Sequence, residues 1–545
     1  MRNPAEYDKN ERLEGLEAYL RDTQGDAAEA AIAFARQYYR QVDAQDVAAR
    51  TIVELAAAAL SLWRAAQRRE SAQAHVRAFN PTLDRDGWHS RHSVVELIHD
   101  DMPFLVDSVA MEANRQGYAV QWLIHPIYAV RRDAAGNLLE IDVPVAGDLR
   151  KRESMMHLEL DRLADDAALE RLHDGLLQVL ADVRTAVEDW MKMRERAQRI
   201  IDELERRPPP VAADEIAEAR AFLAWLLDNH YTFLGYRNHD LIRIEGQDAL
   251  RAVPASGLGV LRTGASMKVS VSFATLPPAV RARARMKEVL LLSKSNTRST
   301  VHRPGYLDYV GIKRYDEQGE VCGEHRFLGL YTHTAYRASA VDIPVLRKKA
   351  AHVLAQADLP AGSHGAKSLE QILDTYPRDE LFQIDADDLA QKALAILALG
   401  ERQSIRLLVR VDPFERFVSC LIYAPREYYT SDVRRKWQSI LLQAFGGTSA
   451  EFAVHLSESV LARVLITVRT RPGTLQQVDV RAVEAQLAEA ARRWDEHLLD
   501  ALNVAVGEDR ALELHAAWSD AFPLGYRDDQ APAVAADDVQ IVATI

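Results

Sequence analysis

The sequence predicts an α+β multi-domain chain, in which a helical lead-in is followed by two modules of β-β-α-β-β-α order flanking a unit built on an antiparallel sheet. Three observations carry this. At 545 residues there is room for about three to four packed units. The apolar residues switch repeatedly between the helical and the strand period. The triple proline Pro208-Pro209-Pro210 stops a long helical pattern and marks a boundary.

Residues 1–71 read as helices, with Ala31, Phe34, Ala35 and Tyr38 on one stripe and Ile52, Leu55, Ala59, Leu62 and Trp63 on another. In the first module, 72–207, strand-like His75–Phe79 and Ser93–Ile98 lead to Asp100-Asp101-Met102-Pro103, where Pro103 and the acidic pair suit a helix start at about residue 103. Val106, Val109, Ala110 and Ala113 give that helix its stripe, and Gly117 ends it. One strand over Ala119–Val130, another over Met155–Leu160 and a long helix through Leu172, Leu180, Val187 and Trp190 complete the order.

The middle unit, 211–400, opens with a helix carrying Phe222, Leu223, Leu226 and Leu227. Strands follow at Phe233–Tyr236, Val289–Leu292, Asp308–Arg314 and Arg326–Tyr331, the last two joined as a hairpin through Asp316-Glu317-Gln318-Gly319. Helices near 343–357 and 386–399 close it. In 403–505 the first pattern returns: strands Ile405–Val411 and Phe417–Tyr423, a helix over 429–445, strands Phe452–Leu456 and Val460–Val468, and one helix from Val483 to Ala501. Residues 506–545 read as a linker whose apolar end, Val539–Ile545, resembles the start of a strand.

Composition narrows the function. Lys+Arg number 67 against 80 Asp+Glu, a net charge of −13, which argues against a grip on nucleic-acid phosphates. Only Cys322 and Cys420 are present, which excludes a Cys-rich zinc module or a disulfide framework and fits a reducing compartment. No export signal opens the chain, and the apolar run Leu55–Trp63 is about half the ~20 residues of a membrane span, so a soluble cytoplasmic protein without membrane or nucleic-acid partners is expected.

Catalytic signatures are missing. Gly257-Leu258-Gly259 lacks the third glycine and the helix of a dinucleotide turn, and no phosphate loop or His-Glu-x-x-His occurs. His89, His92, His99 and His125 cluster in sequence, but no carboxylate spacing completes a metal site, so they read as structural. Arg434-Arg435-Lys436 reads as a solvated helix face. The expected ligand places are the two strand-to-helix turns, Asp101, Met102, Pro103 and Phe104 and then Pro425 and Arg426, and the basic loop holding Arg298, His302 and Arg303; the basic loop and Arg426 suit an anion, whereas the two aspartates of the first turn would repel one. The acidic pair of the first turn reads most simply as helix capping.

Several blocks, in one order, resemble the N-terminal region of the large bacterial NAD-specific glutamate dehydrogenases. They are Phe79-Asn80-Pro81, Asp101–Val109, Asn229–Tyr236, Val301–Pro304, Arg326–Thr332, Tyr376–Phe382 and Ser457–Arg463, and the match runs with gaps from about residue 50 to the end. The resemblance implies that the two repeated modules are ACT-like, the middle one PAS-like, and that the glutamate- and NAD-binding catalytic domain lies C-terminal to this chain. It implies regulation and assembly, with no catalytic, cofactor or metal site here, NAD serving the full enzyme, a homo-oligomer, and an amino-acid effector as a partner. The ACT pattern carries glycine after the proline of its ligand turn, whereas this chain has Phe104 there and Pro425-Arg426 in the second module. Two further readings stay open: a free-standing amino-acid-sensing regulator of a separate enzyme, and hydrolytic or transfer chemistry around His302 and Arg303.

Overall fold

The computed structural model describes residues 4–70, 72–244, 247–262, 282–456 and 459–544. These fall into two compact units, the first holding the described residues of 1–240, 251–268 and 288–335, the second those of 241–250, 269–287 and 336–545.

The first unit opens with helices α1 (Pro4–Gln24), α2 (Ala28–Tyr39), α3 (Ala44–Ala48) and α4 (Ile52–Ala66). A capping box at Thr51 and Glu54 starts α4. The expected stripes are buried in most positions: Ala31, Phe34, Ala35 and Tyr38 join Leu55, Ala59 and Leu62 in one core, with Trp63 packed half-buried against it and Ile52 half-buried outside it. That core rests on a six-stranded antiparallel sheet of β1 (His75–Phe79), β2 (Ser93–Asp100), β3 (Val120–Ile124), β4 (Ile127–Arg132), β5 (Leu138–Asp142) and β6 (Lys151–Leu160), ordered β1-β2-β6-β4-β5 with β3 also on β6. The opposite face packs α5 (Leu105–Arg115) and the 41-residue α6 (Asp166–Arg206). Burial on both faces is why every residue of Ser93–His99 is buried, the polar Ser93 and Glu96 included, rather than every second one.

Two details correct the expectation. The single strand over 119–130 is broken at His125-Pro126, because proline has no N–H for the ladder; Pro126 instead accepts from the Met155 amide at 3.0 Å. The chain between it and β6 adds the hairpin strand β5, whose half-exposed residues give little periodic signal.

The middle sheet is antiparallel, ordered β10-β11-β12-β7-β8 with β9 also on β7, where β7 is Tyr231–Ile244, β8 Gln247–Ala252, β9 Leu258–Gly259, β10 Leu290–Arg298, β11 Tyr306–Tyr315 and β12 Val321–Tyr331. The helix α7 (Ala213–Trp225) precedes it. The expected β11–β12 hairpin is present: Asp316 Oδ1 accepts from the amides of Gln318 (3.0 Å) and Glu320 (2.8 Å), and Gly319 takes φ +75°. Leu234, Val301, Leu307, Leu328 and Leu330 of this region share one buried cluster with Leu105, Val109 and the long helix.

In the second unit α8 (Leu346–Ala357), α9 (His364–Thr375), α10 (Arg378–Gln383) and α11 (Ala386–Leu399) precede a four-stranded sheet. Its strands are β13 (Arg406–Val411), β14 (Phe417–Pro425), β15 (Ser449–His455) and β16 (Leu461–Arg469), ordered β13-β14-β16-β15. Helices α12 (Ser431–Ala444) and α13 (Val480–Ala491) pack on it through Trp437, Leu441, Val483 and Leu487. The order first-second-fourth-third also relates β1, β2, β6 and β3, so the repeated element order corresponds to repeated strand order.

The end of the chain differs from expectation. The helix from Val483 to Ala501 breaks at Arg492-Arg493: α13 ends at Ala491 and α14 spans Trp494–Val506, with Arg492 paired to Asp500 at 2.6 Å. The expected linker 506–545 and its terminal strand are helices, α15 (Glu508–Trp518), a short turn at Leu524–Asp529 and α16 (Pro532–Val542). Pro532 starts α16 at a position that needs no N–H, and Ala535 and Val539, one helical turn apart, join Leu498, Leu502, Ala511 and Leu514 in a small core.

Candidate functional site

The first turn lies between β2 and α5. Helix α5 starts at Leu105, and its N-cap is Phe104, which makes no side-chain capping bond. The expected helix start at residue 103 and capping by the acidic pair are therefore both corrected. Asp100 is engaged elsewhere: its carboxylate accepts from Arg69 Nη1 at 2.8 Å and from Arg184 Nη1 of α6 at 2.9 Å. Burial raises the Asp100 pKa, but those two guanidinium bonds more than offset it and hold the carboxyl below its ordinary value. Arg69 Nη1 also reaches Glu153 Oε1 at 2.8 Å, and Arg132 holds the same carboxylate through Nε (2.9 Å) and Nη2 (2.8 Å). The Asp101 amide donates to Arg152 O at 2.9 Å, tying the turn to β6.

Phe104 has φ +73°, the left-handed region that an L side chain rarely occupies. The glycine of the ACT pattern at this place thus answers a backbone need, and this chain meets it with a strained phenylalanine. The compensation is contact. The Phe104 ring lies 4.8 Å, centroid to centroid, from the imidazole of His302, whose own φ is +75°. The His302 amide donates to Ser108 Oγ at 3.0 Å, and its Nδ1 stands 3.6 Å from Asp107 Oδ2. The Asp101–Phe104 turn and the basic loop thus meet through Phe104 and His302, and the bond from His302 to Ser108 spans 194 positions in sequence.

The loop between β10 and β11 is closed on itself: the Ser299 amide donates to Gly305 O at 2.7 Å, and Ser299 Oγ donates to Val301 O at 2.6 Å. Thr300 Oγ1 donates to Asp182 Oδ2 of α6 at 2.7 Å, and Val301 is fully buried. Arg303 Nη2 donates to Tyr331 O at 3.0 Å, and the Arg298 guanidinium stacks 4.9 Å from the Tyr306 ring centroid. Met102 and Phe104 pack on the core below while Pro103 is exposed.

Pro425 and Arg426 are not brought into such a site. They open a 3-10 turn, Arg426–Tyr428, and α12 begins only at Ser431, capped by Thr430 Oγ1 accepting from the Val433 amide at 3.2 Å. The expected helix N-terminus at Pro425-Arg426 is therefore absent, and Arg426 is solvent-exposed with its amide bonded to Val460 O at 2.9 Å.

The histidines scatter. His99 is buried, donating from Nδ1 to Asp100 O at 2.8 Å and accepting at Nε2 from Arg184 Nη2 at 3.0 Å; burial pushes its pKa down to about 4, so it is neutral. His125 Nε2 lies 2.8 Å from Ser154 Oγ. Among the described residues no group of three or more His, Cys, Asp or Glu side chains could hold a metal ion. Leu258 and Gly259 of the Gly257-Leu258-Gly259 stretch pair in the middle sheet, and the Gly259 amide donates to Asp189 Oδ2 of α6 at 3.0 Å. That bond, with Arg262 at 2.7 Å and Lys192 at 3.0 Å, outweighs burial and holds Asp189 down to about 2. Arg435 pairs with Asp432 at 2.6 Å on the exposed face of α12, whereas Arg434 stacks 3.8 Å over Phe452.

Sequence reading missed Asp107, Ser108 and Asp182 as partners of the loop. A faint signal existed at Ser108, a polar residue set against the apolar Leu105, Val109 and Ala113 of α5, and fully buried. Among the described residues no helix is long and apolar enough to cross a membrane.

Comparison with known proteins gives four matches in chain order. The family model for the glutamate dehydrogenase ACT1 domain matches residues 34–176, that for helical motif 1 residues 343–402, that for the ACT2 domain residues 406–495, and that for helical motif 2 residues 501–545. The chain is similar to the NAD-specific glutamate dehydrogenase of Halomonas elongata, 38% identical over 526 residues, which is 94% of this chain and 32% of that protein. It is similar to the protein of the same name from Pseudomonas aeruginosa, 38% identical over 513 residues (93% of this chain, 31% of that protein), and to that from Mycobacterium tuberculosis, 28% identical over 473 residues (83% and 27%). The chain spans about a third of the length of the curated relatives it matches. Ser457 and Glu458, at the start of the last family block, lie outside the described residues.

Proposed function

Because this chain belongs to the NAD-specific glutamate dehydrogenase family, as its N-terminal region, we propose that it is the regulatory and oligomerisation segment of an enzyme that oxidatively deaminates L-glutamate to 2-oxoglutarate and ammonia, with NAD accepting the hydride. The observation that carries this reading is the ordered series of ACT1, helical motif 1, ACT2 and helical motif 2 matches. The repeated strand order of the two sheets supports it. The middle antiparallel sheet is read as a PAS-like module, between ACT-like modules at 72–207 and 403–505. The partner is the catalytic part of the same polypeptide, and NAD belongs to that part. Two ACT-like sheets with exposed edges suit a cytoplasmic homo-oligomer. A small amino-acid effector is the ligand class such modules serve.

The test is direct. The purified 545-residue chain, given L-glutamate and NAD, is expected to form no NADH beyond a protein-free control, while the full-length enzyme turns over. NADH formation by the isolated chain at an enzyme-like rate overturns the reading.

A further inference from the structure

We propose that the loop from Ser299 to Gly305 is an internal strap that joins the first module's strand–helix turn to the middle sheet, so that a change on either side is felt on the other. Both ends of this loop belong to the sheet, since it connects β10 to β11, and the Ser299 amide to Gly305 O bond at 2.7 Å closes its base. The strap cannot shift without moving two strand ends.

Its tip is fixed to the first module at four points. The His302 amide donates to Ser108 Oγ at 3.0 Å. The imidazole meets the Phe104 ring at 4.8 Å. Thr300 Oγ1 donates to Asp182 of α6 at 2.7 Å. Val301, fully buried, shares a core with Leu105 and Val109 of α5. Ser108 sits in the first turn of α5, so the bond it accepts ties the loop to the helix start itself.

The backbone marks the same spot. Phe104 and His302, at φ +73° and +75°, are two of the eight non-glycine residues with positive φ among the described residues, and they touch each other. Such strained conformations persist where surrounding contacts over-determine them, and they cluster at active sites, ligand clamps and switch regions. As a route for regulation this rests on the reading above; the contact itself is tested on this chain alone, without any catalytic readout.

The experiment is hydrogen exchange on the 545-residue chain, followed by mass spectrometry over α5 and over β10 and β11. Ser108→Ala alters only the helix, and His302→Gly alters only the loop. Ser108→Ala is expected to speed exchange at the facing ends of β10 and β11 by about fivefold or more, and His302→Gly to do the same in the first turn of α5. The double variant is expected to exceed the larger single effect only slightly. Effects confined to the altered side, or two effects that simply multiply, overturn the proposal. Should Ser108→Ala fail to fold, Thr300→Val asks the same question across Asp182: exchange must rise on α6 around that residue as well as in the loop, and a rise in the loop alone overturns it.

Discussion

The strain at Phe104 is measurable by comparing two substitutions at that one position. Both Phe104→Gly and Phe104→Ala remove the ring, together with its contact to His302, so the lost packing cancels between them. They differ in what the backbone at φ +73° requires. An alanine keeps a Cβ in the left-handed region, at a cost of about 1–2 kcal/mol. A glycine escapes it but loses about 0.4–1 kcal/mol through the greater freedom of the unfolded chain. The balance leaves the glycine variant more stable by about 1 kcal/mol, or roughly fivefold in a local opening equilibrium. The assay is native-state hydrogen exchange at the Ser108 amide, which donates to Phe104 O at 3.0 Å in the first turn of α5. Slower exchange in Phe104→Gly than in Phe104→Ala is expected. Equal exchange, or slower exchange in the alanine variant, refutes the claim that the backbone here is strained.

Other consequences are equally concrete. Arg410 grips Glu380 through two bonds of 2.6 and 2.8 Å, both side chains 7% exposed, and so ties α10 to β13; Glu380→Ala strands the guanidinium and should destabilise the second unit by about 3–5 kcal/mol in denaturant unfolding, with Glu380→Leu/Arg410→Met recovering most of it. Gly259→Ala would put a Cβ 2.1 Å from Leu234 O at φ +59°, and should lower the stability of the first unit by more than about 2 kcal/mol in the same assay. Burial raises the Glu159 pKa, but His157 and the bidentate Arg50 pair more than offset it and hold the carboxyl near 2, against an ordinary 4.5; this stability is present above pH 4.5 and is lost as pH falls toward 2. His99 is a base pushed from 6.5 to about 4, so the unfolded chain takes up its proton first, and its contribution is full above pH 6.5 and lost as pH falls toward 4. Each contributes about 3 kcal/mol, so stability against pH should decline across both windows; Glu159→Gln should flatten the lower one and His99→Gln the upper, and unchanged profiles contradict the assignment.

Much of this architecture is legible locally. The helices of residues 1–71, the β11–β12 hairpin and the recurring β-β-α-β-β-α order follow from apolar period and turn chemistry, which are properties of neighbouring residues. The departures arise where distant contacts decide. The terminal helix α16 is apolar enough to pass for a strand until Leu498 and Leu514 supply the face it packs on. The acidic pair before α5 looks like a cap because nothing in the local sequence shows Arg69 and Arg184 claiming Asp100. At the candidate site, both halves were recognisable by residue type, whereas their meeting was not: Phe104 and His302 share no period and no motif. Their positive φ angles leave no trace in composition, and only Phe104, standing where the ACT pattern has glycine, hinted at one.

The most direct test of the central claim is the mass of the native polypeptide in its own cells, by immunoblot with an antibody raised against this chain. If it is the N-terminal region of a longer glutamate dehydrogenase, as proposed, and since the relatives it matches are about three times as long, it should appear in a band far above 61.1 kDa. A band at 61.1 kDa would contradict the account and leave a free-standing regulator in its place.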